Sequence, residues 1–208
     1  AVALLVIPFF IIDATVTRGA FTSQDAERTA AVLAQFAWGV PAFVLAKVLT
    51  PPFFAREDTR RPMIFAITAV VFTVVVGSAL FFWLDGQGID GVLGLAVATS
   101  LSAWINVALL AGTLVRENAW RPNAAFISRV ARVGMASGLM AALLFIAGQN
   151  YDRLSDWLLA KEIAVLVVVA LGALVYGAGL FAFRAVTPGE IRAALRREPG
   201  GPPVSGLD

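Results

Sequence analysis

An all-α fold, a polytopic bundle of transmembrane helices, is what this sequence predicts, and three observations predict it. The first is composition. Of the 208 residues 59% are hydrophobic and only 14% are charged, and the mean hydropathy is +0.82. A soluble domain carries about 45–50% apolar and about 25% charged residues, so the bilayer is the solvent that suits this chain. The second is length. Five apolar segments, 29–49, 62–84, 92–115, 126–147 and 163–183, are each long enough to cross a hydrocarbon core of ~30 Å at 1.5 Å per residue. The third is the punctuation between them, short polar runs with turn chemistry such as "DGQGIDG" at 85–91. Barrel strands would be about half as long and would alternate in polarity.

Taken in order, the chain opens on "AVALLVIPFFII", about half of the ~20 residues that a span needs. It lacks the basic region and the small-residue cleavage site of a signal peptide. The expectation is a truncated first span, the chain beginning mid-helix as part of a larger protein. The segment 29–49 carries Gly39 and Pro41 in mid-span and Lys47 near its end. Proline removes a backbone hydrogen bond, so a kink is expected there. Lys47 is placed to snorkel to the interface, and a pathway role is the sharper alternative.

The stretch "LTPPFFAREDTRRP", residues 49–62, follows. Pro51, Pro52 and Pro62 disfavour helix immediately before each, which predicts a shaped turn with Phe53 and Phe54 at the interface. Arg56, Arg60 and Arg61 then face phosphates or incoming substrate. Glu57 and Asp58 pair with them, or Asp58 or Thr59 caps the next helix.

The segment 62–84 has only Thr68, Thr73 and Ser78 as polar residues. The segment 92–115 places Thr99, Ser102 and Asn106 at spacings of three and four, on one face. Interhelical hydrogen bonding is their simpler role, and a polar stripe lining a cavity for ion or substrate is the sharper one. Gly134 and Gly138 in 126–147, and Ala173 and Gly177 in 163–183, have the small-xxx-small spacing that favours close helix packing. The bundle is expected to occupy residues 1–184. Residues 185–208 form a tail: a short amphipathic helix capped at Thr187, with Pro188 and Glu190 behind it, and then the disordered "EPGGPPVSGLD".

The chemistry is as constrained as the fold. The chain has no Cys and no His, which removes disulfides, thiolate metal sites and the commonest general base. No nucleophile–base pair and no glycine-rich phosphate loop can be assembled, so an enzyme is not expected. No metal, no cofactor and no nucleic-acid partner is expected either. The 16 Lys and Arg divide unevenly over the connections, twelve on one side and four on the other. One side has Lys47, Arg56, Arg60, Arg61, Arg116, Arg121, Arg129, Arg132, Arg184, Arg192, Arg196 and Arg197, and the other has Arg18, Arg28, Arg153 and Lys161. The positive-inside rule then puts 50–61, 116–125 and the C-terminus in the cytoplasm.

The order of residues in the first third carries a resemblance. Arg18-Gly19-Ala20-Phe21-Thr22, Gly39 with Pro41-Ala42-Phe43, Lys47-Val48-Leu49, and Phe53-Phe54-Ala55-Arg56 followed by Asp58-Thr59 and Pro62 resemble a block of the MurJ/MviN lipid II flippases. These are members of the multidrug/oligosaccharidyl-lipid/polysaccharide exporter superfamily. The run "GVLGLAVATSLSAWINVALL", 91–110, is similar to a later helix of that family.

The resemblance implies the C-terminal part of a transporter of the bacterial cytoplasmic membrane. Such a protein moves an undecaprenyl-linked peptidoglycan precursor by alternating access between two lobes. The family's essential arginines lie mainly in the N-terminal lobe, so within this chain the candidates for substrate-contacting or gate residues are those read from its own charge, Lys47, Arg56, Asp58 and Arg18. The implied partners are the polyprenyl-linked precursor, membrane lipids and an N-terminal lobe lying outside this chain. Some members bind sodium through Asn and Asp on the helix matching 62–84. Their absence here argues against sodium and leaves the membrane potential or another ion as the energy source. The alternatives are an exporter of another polyprenyl-linked glycan and a non-transporting scaffold for cell-wall enzymes.

Overall fold

The structure, a computed structural model, describes residues 1–16, 22–120, 124–150 and 161–183. Among these residues there is no strand, and the helices are α1 (Val2–Val6), α2 (Pro8–Val16), α3 (Ser23–Ala37), α4 (Val40–Leu49), α5 (Pro51–Phe54), α6 (Arg60–Asp85), α7 (Val92–Arg116), α8 (Ala124–Gln149) and α9 (Lys161–Ala182). Five spans are long and apolar enough to cross a membrane: Gln24–Phe54, Arg60–Asp85, Val92–Arg116, Phe126–Gln149 and Ala164–Ala182.

The helices pack in series. α9 lies on α8, α8 on α1, α1 and α2 on α3, α3 and α4 on α7, and α7 on α6. α7 is the most buried span, at 39% against 11% for α6 and for α8. Its sequence explains this. Gly94, Ala96, Ala98, Ser100, Ser102 and Ala103 are small, so neighbouring backbones come close. A Cβ on Gly94 would sit 2.8 Å from the Leu80 backbone carbon, and one on Gly39 would sit 2.5 Å from Ser100 Oγ. By contrast α6 turns Ile67, Val70, Val71, Val74, Val75, Phe82 and Trp83 outward. That exposure costs nothing when the solvent is hydrocarbon.

Two helix starts differ from the sequence expectation. The first full span begins not at 29 but at Ser23, because Thr22 and Asp25 form a capping box. Thr22 Oγ1 accepts from Asp25 N (3.3 Å) and Asp25 Oδ2 accepts from Thr22 N (3.0 Å). The second concerns Pro51 and Pro52, which begin a short helix where a turn was expected. They occupy its first positions in α5, where a missing N–H has no consequence, and Thr50 before them stays helical at φ −74, ψ −44. The span runs from 24 to 54, broken at Trp38 and Gly39, beside Pro41, and again at Thr50 between α4 and α5.

The glycine seam expected on α8 is also displaced. Among the described residues nothing lies within 4 Å of a Cβ built on Gly134, Gly138 or Gly177. The α8–α9 contact runs instead through Gly172, whose Cβ would meet Leu144 at 3.1 Å, and Gly179, which would meet Ala136 at 3.1 Å. Gly172 and Gly179 are two turns apart on one face of α9, whereas Ala173 is exposed. α1 and α2 are hinged at Ile7, before Pro8; Ile7 is buried against Leu144 and Val168.

Candidate functional site

The charged loop is built by two copies of one backbone motif. After α5, Glu57 adopts φ 59. Glu57 N–H bonds to Phe54 C=O and Asp58 N–H to Phe53 C=O, each at 3.0 Å. After α7, Asn118 adopts φ 54. Asn118 N–H bonds to Val115 C=O (3.0 Å) and Ala119 N–H to Leu114 C=O (2.9 Å). This is the Schellman pattern of helix termination. It is pinned from below, because Phe53, Leu110 and Leu114 are the buried cluster under both turns. Two turns seated on one core bring Arg56 and Glu117, 61 residues apart in sequence, to the same end of the bundle.

There Glu117 is shared. Its Oε2 lies 3.2 Å from Arg56 Nη1, and its Oε1 accepts from Arg61 Nη1. Asp58 secures the other side of Arg61: its Oδ1 accepts from Arg61 N (3.2 Å) and its Oδ2 pairs with Arg61 Nε (3.3 Å). Asp58 is thus the cap of α6, and Thr59, although it stands at the cap position, makes no capping bond. Arg61, Thr113, Arg116 and Glu117 line an open cavity of about 340 Å³. The Arg56 and Arg61 side chains are both 46% exposed, so solvent screens each pair and it adds little to stability. The arrangement positions charge more than it stabilises the fold. It can hold two guanidiniums, each with N–H donors left over, at a fixed place.

The polar stripe lines a second site. Thr99, Ser102 and Asn106 of α7 face a groove of about 410 Å³ whose other walls include Phe43 and Ala46 of α4 and Thr73 of α6. Thr73 Oγ1 donates to Ser102 Oγ (2.7 Å), and Ser102 Oγ donates to Thr99 C=O (2.8 Å). Thr99 Oγ1 bonds back to Leu95 C=O (2.7 Å). Asn106 Oδ1 is buried without a hydrogen-bond partner among the described residues. No carboxylate among the described residues lines the groove. Among the described residues no group of three or more Asp, Glu, His or Cys comes together as for a metal ion.

Between the two sites the broken helix is stitched to α7. At the break Gly39 N–H bonds to Phe36 C=O (2.9 Å) instead of to Gln35. Ser100 Oγ donates to the Gln35 C=O left over (2.7 Å), and Trp104 Nε1 donates to Trp38 C=O (3.0 Å). Ser100 and Trp104 are one turn apart on α7, so one face of one helix satisfies two of the carbonyls at the break.

Of the four charged candidates, Arg56 and Asp58 come together at the clustered end. Lys47 is exposed on α4, one turn beyond Phe43, with no charged partner among the described residues. Arg18 lies outside the described residues, as do Thr187 and the other residues of the 185–208 tail. Sequence reasoning missed Glu117. The signal was present: alternate connections fall on one side, and Glu117 is the one carboxylate among the arginines of 116–125.

Comparison with known proteins agrees with the early block. A family model described as "Lipid II flippase MurJ" matches residues 1–172. The chain is 38% identical over 158 residues to the "Probable lipid II flippase MurJ" of Rhizobium meliloti, covering 76% of this chain and 27% of that protein. It is 36% identical over 141 residues to the protein of that name in Vibrio cholerae, covering 68% and 25%. In Rhizobium tropici the match is 31% over 205 residues, covering 97% and 37%. The chain therefore spans between a quarter and two fifths of the length of these curated relatives.

Proposed function

The chain belongs to the lipid II flippase MurJ family, and we propose that it forms the C-terminal part of a transporter that carries undecaprenyl-linked peptidoglycan precursor across the bacterial cytoplasmic membrane by alternating access. The match over residues 1–172 carries this reading, and the five apolar spans among the described residues agree with it. In this reading the 50–61 loop, the 116–125 loop and the C-terminus face the cytoplasm, as the bias of basic residues requires. The partners are the precursor lipid, the surrounding membrane lipids and an N-terminal lobe.

Arg56 is the gate residue of this reading, meeting an acidic side chain of the facing lobe when the cytoplasmic side closes. Asp58 shapes the loop that presents it, and Lys47 and Arg18 supply further positive charge toward the precursor's diphosphate, which must be held against a low dielectric. The stripe Thr99, Ser102 and Asn106 lines a cavity. Without a carboxylate beside it, it contributes hydroxyl and amide contacts rather than a sodium site, and the membrane potential or another ion is left to drive the cycle.

Arg56→Glu tests the gate. It is expected to abolish precursor export with abundance and topology unchanged, and an acid-to-base change in the facing lobe should partly restore it. Export at the wild-type rate by Arg56→Glu contradicts the gate. Lys47→Ala should reduce export and Lys47→Arg should retain more of it. Full activity in both leaves Lys47 as a snorkelling side chain only.

A further inference from the structure

Glu117 stands outside every role assigned so far, yet it is the anion on which both loop arginines converge. Its Oε2 is taken by Arg56 at 3.2 Å and its Oε1 by Arg61. Its own backbone is fixed by the turn at Asn118, which is seated over the buried Leu110 and Leu114 of the most enclosed helix. Arg56, by contrast, rides on a loop, is 46% exposed and has a long side chain with many rotamers. Arg61 presents a like charge to it across Glu117. With the carboxylate removed, the two guanidiniums repel and Arg56 loses its fixed orientation.

We propose that Glu117 is a positioning residue for Arg56. One carboxylate, anchored to α7, holds the guanidinium at a set place at the end of the bundle. The remaining N–H donors of Arg56 are thereby presented to an acidic group of the facing lobe. The inference rests on the reading of Arg56 as a gate residue. Its chemistry is that of a shared counter-ion: the pair adds little stability, being exposed, but removes the orientational freedom that Arg56 would otherwise lose at each closure.

The test is a double-mutant cycle on precursor export. It is done in cells that depend on the gene encoding this chain, with export read per membrane-inserted molecule so that altered abundance does not enter. Arg56→Ala and Glu117→Gln are each expected to lower export by about fivefold, the factor that ~1 kcal/mol corresponds to. The double variant is expected to fall no further than Arg56→Ala alone, because Glu117 acts through Arg56. Glu117→Asp, which keeps the charge, should recover most of the loss.

If Arg56→Ala exports at the wild-type rate, the gate reading fails and this inference fails with it. If Arg56→Ala is impaired but Glu117→Gln is not, the positioning role alone is overturned. The same holds if the two losses multiply in the double variant or if Glu117→Asp is no better than Glu117→Gln.

Discussion

Glu57 is the residue whose backbone pays most for its position. With φ at 59 it occupies the left-handed region, which costs an L-residue roughly 1–2 kcal/mol. Its partner turn uses Asn118, a residue that visits this region readily. Glu57→Gly should therefore stabilise the loop by ~1 kcal/mol, a gain partly offset by glycine's freedom in the unfolded chain. Thermal unfolding in detergent would read it as a small rise in midpoint, and a fall would mean that the Glu57 side chain has a role beyond the turn. At this scale the sequence was only partly legible. The density of charge at 56–61 marked the place, and spacing to Pro62 offered Asp58 or Thr59 as the helix cap, of which the structure uses Asp58. That Arg56 and Arg61 answer to Glu117 depends on where two distant turns land, and local spacing does not encode that.

Elements show the same division between local and tertiary information. The kink at Pro41 was readable because proline lacks a donor wherever it sits. Which groups satisfy the freed carbonyls was not, since Ser100 and Trp104 lie on another helix. Removing either donor, by Ser100→Ala or Trp104→Phe, should cost about 1 kcal/mol in unfolding free energy, the scale of interhelical hydrogen bonds in membranes. No loss in either would show that the break satisfies itself.

The glycines offer a sharper comparison. Small-xxx-small spacing drew attention to Gly134 and Gly138, but spacing says only that two residues share a face, not that a neighbour occupies it. Gly94→Ala, which forces a Cβ to 2.8 Å from Leu80, should destabilise the α6–α7 pair by about 1–3 kcal/mol. Gly138→Ala, with nothing within 4 Å, should be neutral or slightly stabilising, as alanine is the better helix former. Unfolding of both variants side by side distinguishes the observed seam from the one that spacing suggests.

For the whole molecule, composition and segment length were enough to give a helical membrane bundle, because hydrocarbon permits few alternatives. The serial packing with α7 as its most buried span was not readable from the lengths alone; it follows from the run of small residues at 94–103 meeting the broken helix and α6. Orientation is testable without background, as the chain has no Cys. Cysteines introduced at Thr59 and Gln87 should differ in intact cells: an impermeant thiol reagent labels position 87 and spares 59. The reverse pattern would invert the proposed topology and move the arginine cluster to the outer face.

The central claim, that this chain is part of a lipid-linked precursor flippase, is tested most directly by depleting its gene product and measuring which leaflet holds the precursor. The account predicts that undecaprenyl-linked precursor accumulates on the cytoplasmic leaflet, that the fraction accessible from outside falls, and that restoring the gene reverses both. An outside-accessible fraction that stays at the wild-type level after depletion, with no other flippase present in the strain, would contradict it.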